Sequence, residues 1–308
     1  MAITVALSTG LRNWITDNLR RGNSPAVMTE ALVDRKFEPH IARGLIEAFA
    51  TAHAAGAALP EHTVKLDVAA PEYQYETPRL ATGNVLRTPD AEVRVLQRLE
   101  RPIIVLLEGV LSAGECESLI ELARPRLQRS TVVDPRTGTN TVADYRNSEG
   151  MFFHMGETPL IGRLDQRMAA LMNWPVEHGE GLQVLRYSAG GHTAAHFDFL
   201  IPSNATNSDS LARSGQRVST LIVYLNDVPE GGETVFPAVG MAVTPRRGNG
   251  LYFEYTNSRM QVDHRSVHAG APVTRGEKWL LTKWMRARRF VPAPVSVDPA
   301  VPLAAMAK

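Results

Sequence analysis

The chain has 308 residues, about twice the ~150-residue expectation for one domain, so it can bury a full core and still carry an extra module. Lys and Arg total 33 against 32 Asp and Glu, and 44% of residues are apolar; this excludes a disordered chain and a strong electrostatic pull toward nucleic acid or a membrane surface. The single cysteine, Cys116, excludes an internal disulfide and multi-cysteine metal sites, so any metal must sit on nitrogen and oxygen, and a cytoplasmic location is expected.

The opening MAITVALSTG lacks a basic region before its short apolar run, and the apolar run at 103–110 is interrupted by Glu108. A span needs about 20 apolar residues, so neither a signal peptide nor a transmembrane helix is expected. Over 1–55 the apolar positions Leu11, Trp14, Ile15 and Leu19, then Val27, Met28 and Leu32, then Ile41, Leu45, Ile46 and Phe49 recur at helical spacing. Three short helices are predicted, with Ser24 capping the second and Pro25 and Pro39 at first helical positions. Helices this short need packing partners, so the head is expected to form a small module, with homodimerisation through it an open alternative.

Residues 56–101 carry several prolines and few periodic apolar positions, and are read as a connector with one extended piece. The catalytic region is placed at 102–290. RPIIVLLEGVLS is strand-like, and Ser112 with Glu115 forms a capping box that starts a helix. Thr158-Pro159 starts another, with Leu160, Ile161, Leu164, Met168 and Leu171 on its buried side. From Leu182 to Phe290 short β-rich runs alternate with turn residues, which predicts a sandwich or barrel. Within it, 201–215 reads as a polar loop able to close over substrate, and Arg286, Arg288 and Arg289 read as a solvated strand end. The tail, 291–308, has no periodic pattern and is expected to be flexible.

His196-Phe197-Asp198 is the chain's one His-x-Asp, and the period of two on a strand turns both side chains to one face. A third ligand must come from a distant strand, with His264 and His268 in VDHRSVHAG as candidates. Two histidines and a carboxylate form the facial set of non-heme Fe(II) oxygenases. Lys278, ten residues after His268, is a long-stemmed point charge suited to the far carboxylate of a chelating cosubstrate. It shares a strand face with Trp284.

Taken in order, RNSEGMF, EGLQVLRYSAGGHTAAHFD, GQRVSTLIVYLNDVPEGGETVFP, DHRSVHAG and GEKWLLTKW resemble the catalytic domain of the prolyl 4-hydroxylase family of Fe(II)/2-oxoglutarate dioxygenases. The resemblance covers residues 102 to 289 and implies a mainly β fold with flanking helices, a double-stranded β-helix or jelly roll. It implies iron on His196, Asp198 and His268, with 2-oxoglutarate on Lys278, Tyr187 and Thr220. It places Arg146, Ser148, Glu180 and Trp284 along the substrate groove. Dioxygen is the second cosubstrate, and ascorbate is an accessory reductant in this reading. Two departures concern the substrate: Asn147 replaces the middle residue of the family's Arg-Thr-Ser segment, and Thr193 stands where the family often has tyrosine. A peptide or protein substrate is therefore the leading expectation, with a free amino acid or small metabolite as the alternative. A non-catalytic binding or sensing protein is the third.

Overall fold

A computed structural model describes residues 2–67, 73–129, 132–133, 140–141, 147–202 and 204–293. The head begins with β1 (Ala2–Ala6), which the sequence pattern does not reveal, followed by α1 (Thr9–Arg20), α2 (Pro25–Asp34) and α3 (Pro39–Ala54). Ser8 and Ser24 accept from the amides of Leu11 and Val27, the N-caps that set the first two helices. Leu11, Ile15, Met28, Leu32, Leu45 and Phe49 meet in one core. Val27, assigned to the same apolar stripe, is instead 58% exposed.

The stretch read as a connector is corrected by the structure. β2 (Thr63–Asp67) pairs antiparallel with β1, so the module extends past residue 55 and buries Val64 and Leu66. β3 (Val85–Arg87) then pairs with β4 (Glu92–Glu100), and β4 with β5 (Ile103–Glu108), at the edge of the main sheet. The polar composition of EVRVLQRLE hides a strand that is mostly exposed, since the short β3 covers only Glu92–Arg94 and the rest of β4 has β5 on one side alone. Between these strands, Tyr75 donates to Asp263 at 2.8 Å and Arg79 pairs with Glu254 at 2.6 Å, fastening the crossing segment to the body.

α4 (Ala113–Ala123) starts at the Ser112–Glu115 capping box. The short strands β6 (Gln128–Arg129), β7 (Val132–Val133) and β8 (Asn140–Thr141) follow, then β9 (Glu149–Phe153) and α5 (Pro159–Met172). The remaining chain supplies β10 (Leu182–Tyr187), β11 (Thr193–His196), α6 (Ala205–Ser214), β12 (Arg217–Tyr224), β13 (Glu230–Gly231), β14 (Thr234–Phe236), β15 (Met241–Val243), β16 (Gly250–Glu254), β17 (His268–Gly270), β18 (Val273–Arg275) and β19 (Lys278–Arg286).

A nine-stranded antiparallel sheet has the order β3-β4-β5-β16-β12-β19-β10-β9-β6, and a four-stranded sheet the order β11-β17-β14-β15. This is the expected jelly roll. Alternation along the strands divides the apolar residues between two cores. Leu221, Val223, Trp279 and Leu281 pack with α4 and α5 behind the large sheet, whereas Ile222, Tyr224 and Leu280 point inward with Phe236 and Val243 of the small one. Among the described residues, no helix is long and apolar enough to cross a membrane.

Two local expectations are corrected. The 201–215 stretch contains α6, N-capped by Asn204. Arg286 is 1% exposed, unlike a solvated strand end. Its guanidinium donates to Ser210 O at 2.9 Å and Gly215 O at 2.6 Å, while Arg288 donates to the carbonyls of Leu211 and Ala212. Cations are thus placed on the C-terminal carbonyls and negative dipole end of α6, which holds that helix in position. Arg288 and Arg289 keep the expected exposure.

Candidate metal centre and cosubstrate cavity

β11 and β17 are antiparallel neighbours, and His196 stands directly opposite His268 in their register. That pairing brings together two histidines 72 positions apart (268 − 196 = 72) and puts their ring centroids 4.3 Å apart. β11 ends at His196, so Asp198 comes from the bend just beyond the strand rather than from the strand itself. Its Oδ1 lies 3.6 Å from His196 Nε2 and its Oδ2 3.8 Å from His268 Nε2.

The donor set fits a metal in its tautomers as well as its spacing. His196 Nδ1 is 2.9 Å from Ala194 O and His268 Nδ1 3.1 Å from Ser266 O. A carbonyl only accepts, so each Nδ1 carries the proton and each Nε2 turns a lone pair to the centre. Burial disfavours ionisation of Asp198, but His268, His196, Arg217 and the Thr220 hydroxyl outweigh it and hold the carboxyl down at about 2. The three side chains therefore offer two imidazole nitrogens and an anionic oxygen, the facial set for Fe(II).

Beside this centre lies a cavity of about 600 Å³ on the inner face of the large sheet. Lys278, Leu280, Thr282 and Trp284 line it from β19, and Gln183, Leu185 and Tyr187 from β10, as a period of two requires. Lys278 Nζ lies 5.8 Å from the Tyr187 ring and 5.6 Å from the Tyr224 ring. Burial pushes its ammonium down to about 8, opposed in part by Glu233.

An anion in the cavity would restore that charge, so affinity for 2-oxoglutarate is expected to be level below about pH 8. Above it, affinity falls about tenfold per pH unit, because binding must then take up a proton. Calorimetric titration with the metal-loaded protein checks the slope. Lys278→Arg should flatten the slope, since its guanidinium stays charged. Lys278→Ala should weaken binding at least about 30-fold, from the roughly 2–5 kcal/mol lost when one member of a buried charge pair is truncated. A steady affinity from about pH 7 to about pH 10 would remove Lys278 from the site.

The other sequence-derived residues separate. Tyr187 lines the cavity and its hydroxyl is 2.9 Å from Thr193 Oγ1, so the threonine in the place of the family's tyrosine orients Tyr187. Thr220 is not among the lining residues; it donates to Asp198 Oδ2 at 2.7 Å and is 3.1 Å from Tyr255 Oη. It therefore acts on the metal ligand rather than on the cosubstrate. Trp284 is on the cavity wall with Phe152, their ring centroids 6.5 Å apart.

Glu180 is buried outside the cavity, accepting from Arg217 at 2.7 Å and from Arg286 at 2.9 Å. Its burial disfavours ionisation, yet these two guanidiniums hold the carboxyl below its usual range. Ser148 borders a separate polar recess with Asn147 and Arg186, and Arg146 lies outside the described residues.

Arg217 and Thr234 are the residues that sequence reasoning missed. Arg217 bonds Glu180, donates to Asp198 O at 3.3 Å and lies 4.0 Å over the Trp284 ring. Its signal was a lone cation opening the apolar run RVSTLIVYL. Thr234 reaches the cavity from β14 and accepts from the Tyr224 hydroxyl at 2.8 Å; nothing in GGETVF marks it out.

The sequence pattern of the 2OG-Fe(II) oxygenase superfamily matches residues 182–286, the segment that holds all three ligands and Lys278. Probable prolyl 4-hydroxylase 3 of Arabidopsis thaliana is 38% identical over 208 residues, covering 61% of this chain and 71% of the relative. The chain belongs to the prolyl 4-hydroxylase family. Prolyl 4-hydroxylase 1 of Arabidopsis thaliana is 41% identical over 200 residues, covering 60% of this chain and 69% of the relative. A solved 2-oxoglutarate complex of a viral collagen prolyl hydroxylase from Paramecium Bursaria Chlorella virus-1 is 28% identical, with a TM-score of 0.47 over 60% of this chain and 96% of that one. As a family member this chain is an Fe(II)- and 2-oxoglutarate-dependent dioxygenase, and His196, Asp198 and His268 are the residues fitted to hold its iron.

Proposed function

We propose that the protein hydroxylates a prolyl residue within a peptide or protein. The observation that carries the reading is one cavity shared by the His-Asp-His centre, the buried Lys278 and an aromatic wall of Trp284 and Phe152. Fe(II) with 2-oxoglutarate and dioxygen supplies the oxidising power for an unactivated C–H bond, giving succinate and carbon dioxide as coproducts. The chain's own residues do the rest. Lys278 anchors one carboxylate, Arg217 stacks on the indole of Trp284, and the apolar floor of Leu185, Ile222 and Leu280 excludes water. Phe152 is 48% exposed, so an aromatic surface for a pyrrolidine ring continues from the wall toward solvent, as an extended peptide requires.

Mass spectrometry after incubation with Fe(II), 2-oxoglutarate and isotopically labelled dioxygen tests this. One labelled oxygen on a proline of a peptide, matched by one succinate, is the expected result. Succinate formation driven by free amino acids, with no labelled oxygen on any proline-containing peptide, would transfer the enzyme to the small-metabolite class.

A further inference from the structure

His264 is the other histidine of DHRSVHAG, and it does not reach the iron centre. It begins a 3-10 turn, His264–Ser266, whose side chain faces the N-terminal module. There its Nε2 lies 3.3 Å from the Nε2 of His40, the second residue of α3. Glu38, just before Pro39, holds the N-cap position of that helix, yet its carboxylate makes no capping bond. It turns instead to the two imidazoles, with Oε2 3.4 Å from His40 Nδ1 and 3.9 Å from His264 Nε2. One ligand atom from each residue falls within 4.8 Å of the others.

As three organic groups alone, this cluster is poorly satisfied. Two imidazoles meeting through Nε2 can share only one proton. His264 is 8% exposed, so its Nε2 meets the other two groups away from bulk water. Burial pushes Glu38 up to about 8 and His264 down to about 4, the latter helped by His40, and it lowers His40 as well. No lysine or arginine contributes to any of these shifts, and the carboxylate faces the two imidazoles.

A divalent cation would use both Nε2 lone pairs and the carboxylate at once. With zinc–nitrogen bonds of 2.0–2.1 Å, a tetrahedral site puts its donors about 3.3 Å apart. The observed Nε2–Nε2 separation is 3.3 Å, and Glu38 Oε2, 3.9 Å from His264 Nε2, would move inward to complete the set.

We propose that Glu38, His40 and His264 form a second metal centre, of zinc class, that ties the N-terminal helical module to the catalytic domain. Its donors are two nitrogens and one oxygen, with a fourth position left for water. It is joined mechanically to the iron centre. Phe197 and Phe199 pack edge-on against the His264 ring, with centroids 5.4 and 5.5 Å away, and these are the residues on either side of Asp198.

The test counts metal per chain on full-length protein, stripped with chelator and reloaded with Co(II) or Zn(II). Wild type should hold about two ions, and His40→Ala and Glu38→Gln about one each, with the iron site still loaded. His268→Ala should lose the first ion and keep the second, whose four-coordinate Co(II) gives an intense visible absorption that a six-coordinate site lacks. Zinc should also raise the melting temperature of His268→Ala by mass action. If His40→Ala does not fold, the Co(II) spectrum of His268→Ala decides alone. One ion per chain in wild type, or no intense Co(II) band in His268→Ala, overturns the proposal.

Discussion

Replacing His268 with alanine should abolish succinate formation and leave the first centre unable to retain Fe(II). His268 is the cross-strand partner of His196, and its Nε2 is one of the two imidazole nitrogens that face Asp198. Without it, a bidentate remnant stays on one edge of the cavity. Thr220→Val should give a graded version of the same loss. It removes the 2.7 Å bond to Asp198 Oδ2 while keeping the volume, and loss of such an outer partner typically costs about 10–100-fold in metal affinity. Fe(II) titration under anaerobic conditions, paired with succinate measurement, places the two variants on one scale. Equal iron affinity in Thr220→Val and wild type would show that the hydroxyl does not position the ligand. Iron retained at wild-type affinity in His268→Ala would remove that histidine from the centre.

The second large effect is on stability. Lys283→Ala should destabilise the protein by about 3–5 kcal/mol, the usual result of removing one member of a fully buried ion pair. Lys283 is 0% exposed, and its Nζ donates to Asp165 Oδ1 and to Glu180 O, both at 2.7 Å. Burial pushes its ammonium down, and Asp165 and Glu180 oppose that. The pair joins β19 to α5 behind the sheet, at a place so close that a β-carbon at Gly179 would overlap the lysine's Cε. Truncation strands the Asp165 carboxylate where no water reaches it. The double variant Lys283→Met, Asp165→Leu should recover most of the loss, because it removes the charge and fills the volume. Denaturant midpoints of the three proteins decide it; a single variant as stable as wild type would mean that Asp165 finds another partner.

Lys278 and Lys283 show where legibility ends. Both lie on β19, five residues apart, and a period of two alone sends them to opposite faces. That one faces the cavity and the other faces α5 follows only from the identity of the two layers. Ser112, Ser24 and Thr158 were legible as helix starts because a cap is made by atoms three residues apart. Glu180 was not legible as a structural anion, since Arg217 and Arg286 reach it from strands far along the chain. α6 looked like a loop because its polar residues fall short of an apolar face, and the arginines that cap its carbonyls come from 286 and 288.

The sequence by itself determined the chemistry on offer: a His-x-Asp with a later histidine, a lysine at the head of a β-run, nitrogen and oxygen donors only, and the caps that start the helices. These are local matters, decided by side-chain type, strand or helix period and atoms a few residues apart. Only the tertiary structure decided that Thr220 serves Asp198, that Glu180 is buried between two arginines, that residues 85–100 belong to the main sheet, and that His264 meets His40. Each of those depends on which faces of distant elements converge and what is left to satisfy once water is gone, and burial of that kind is a property of the assembled layers rather than of any one segment.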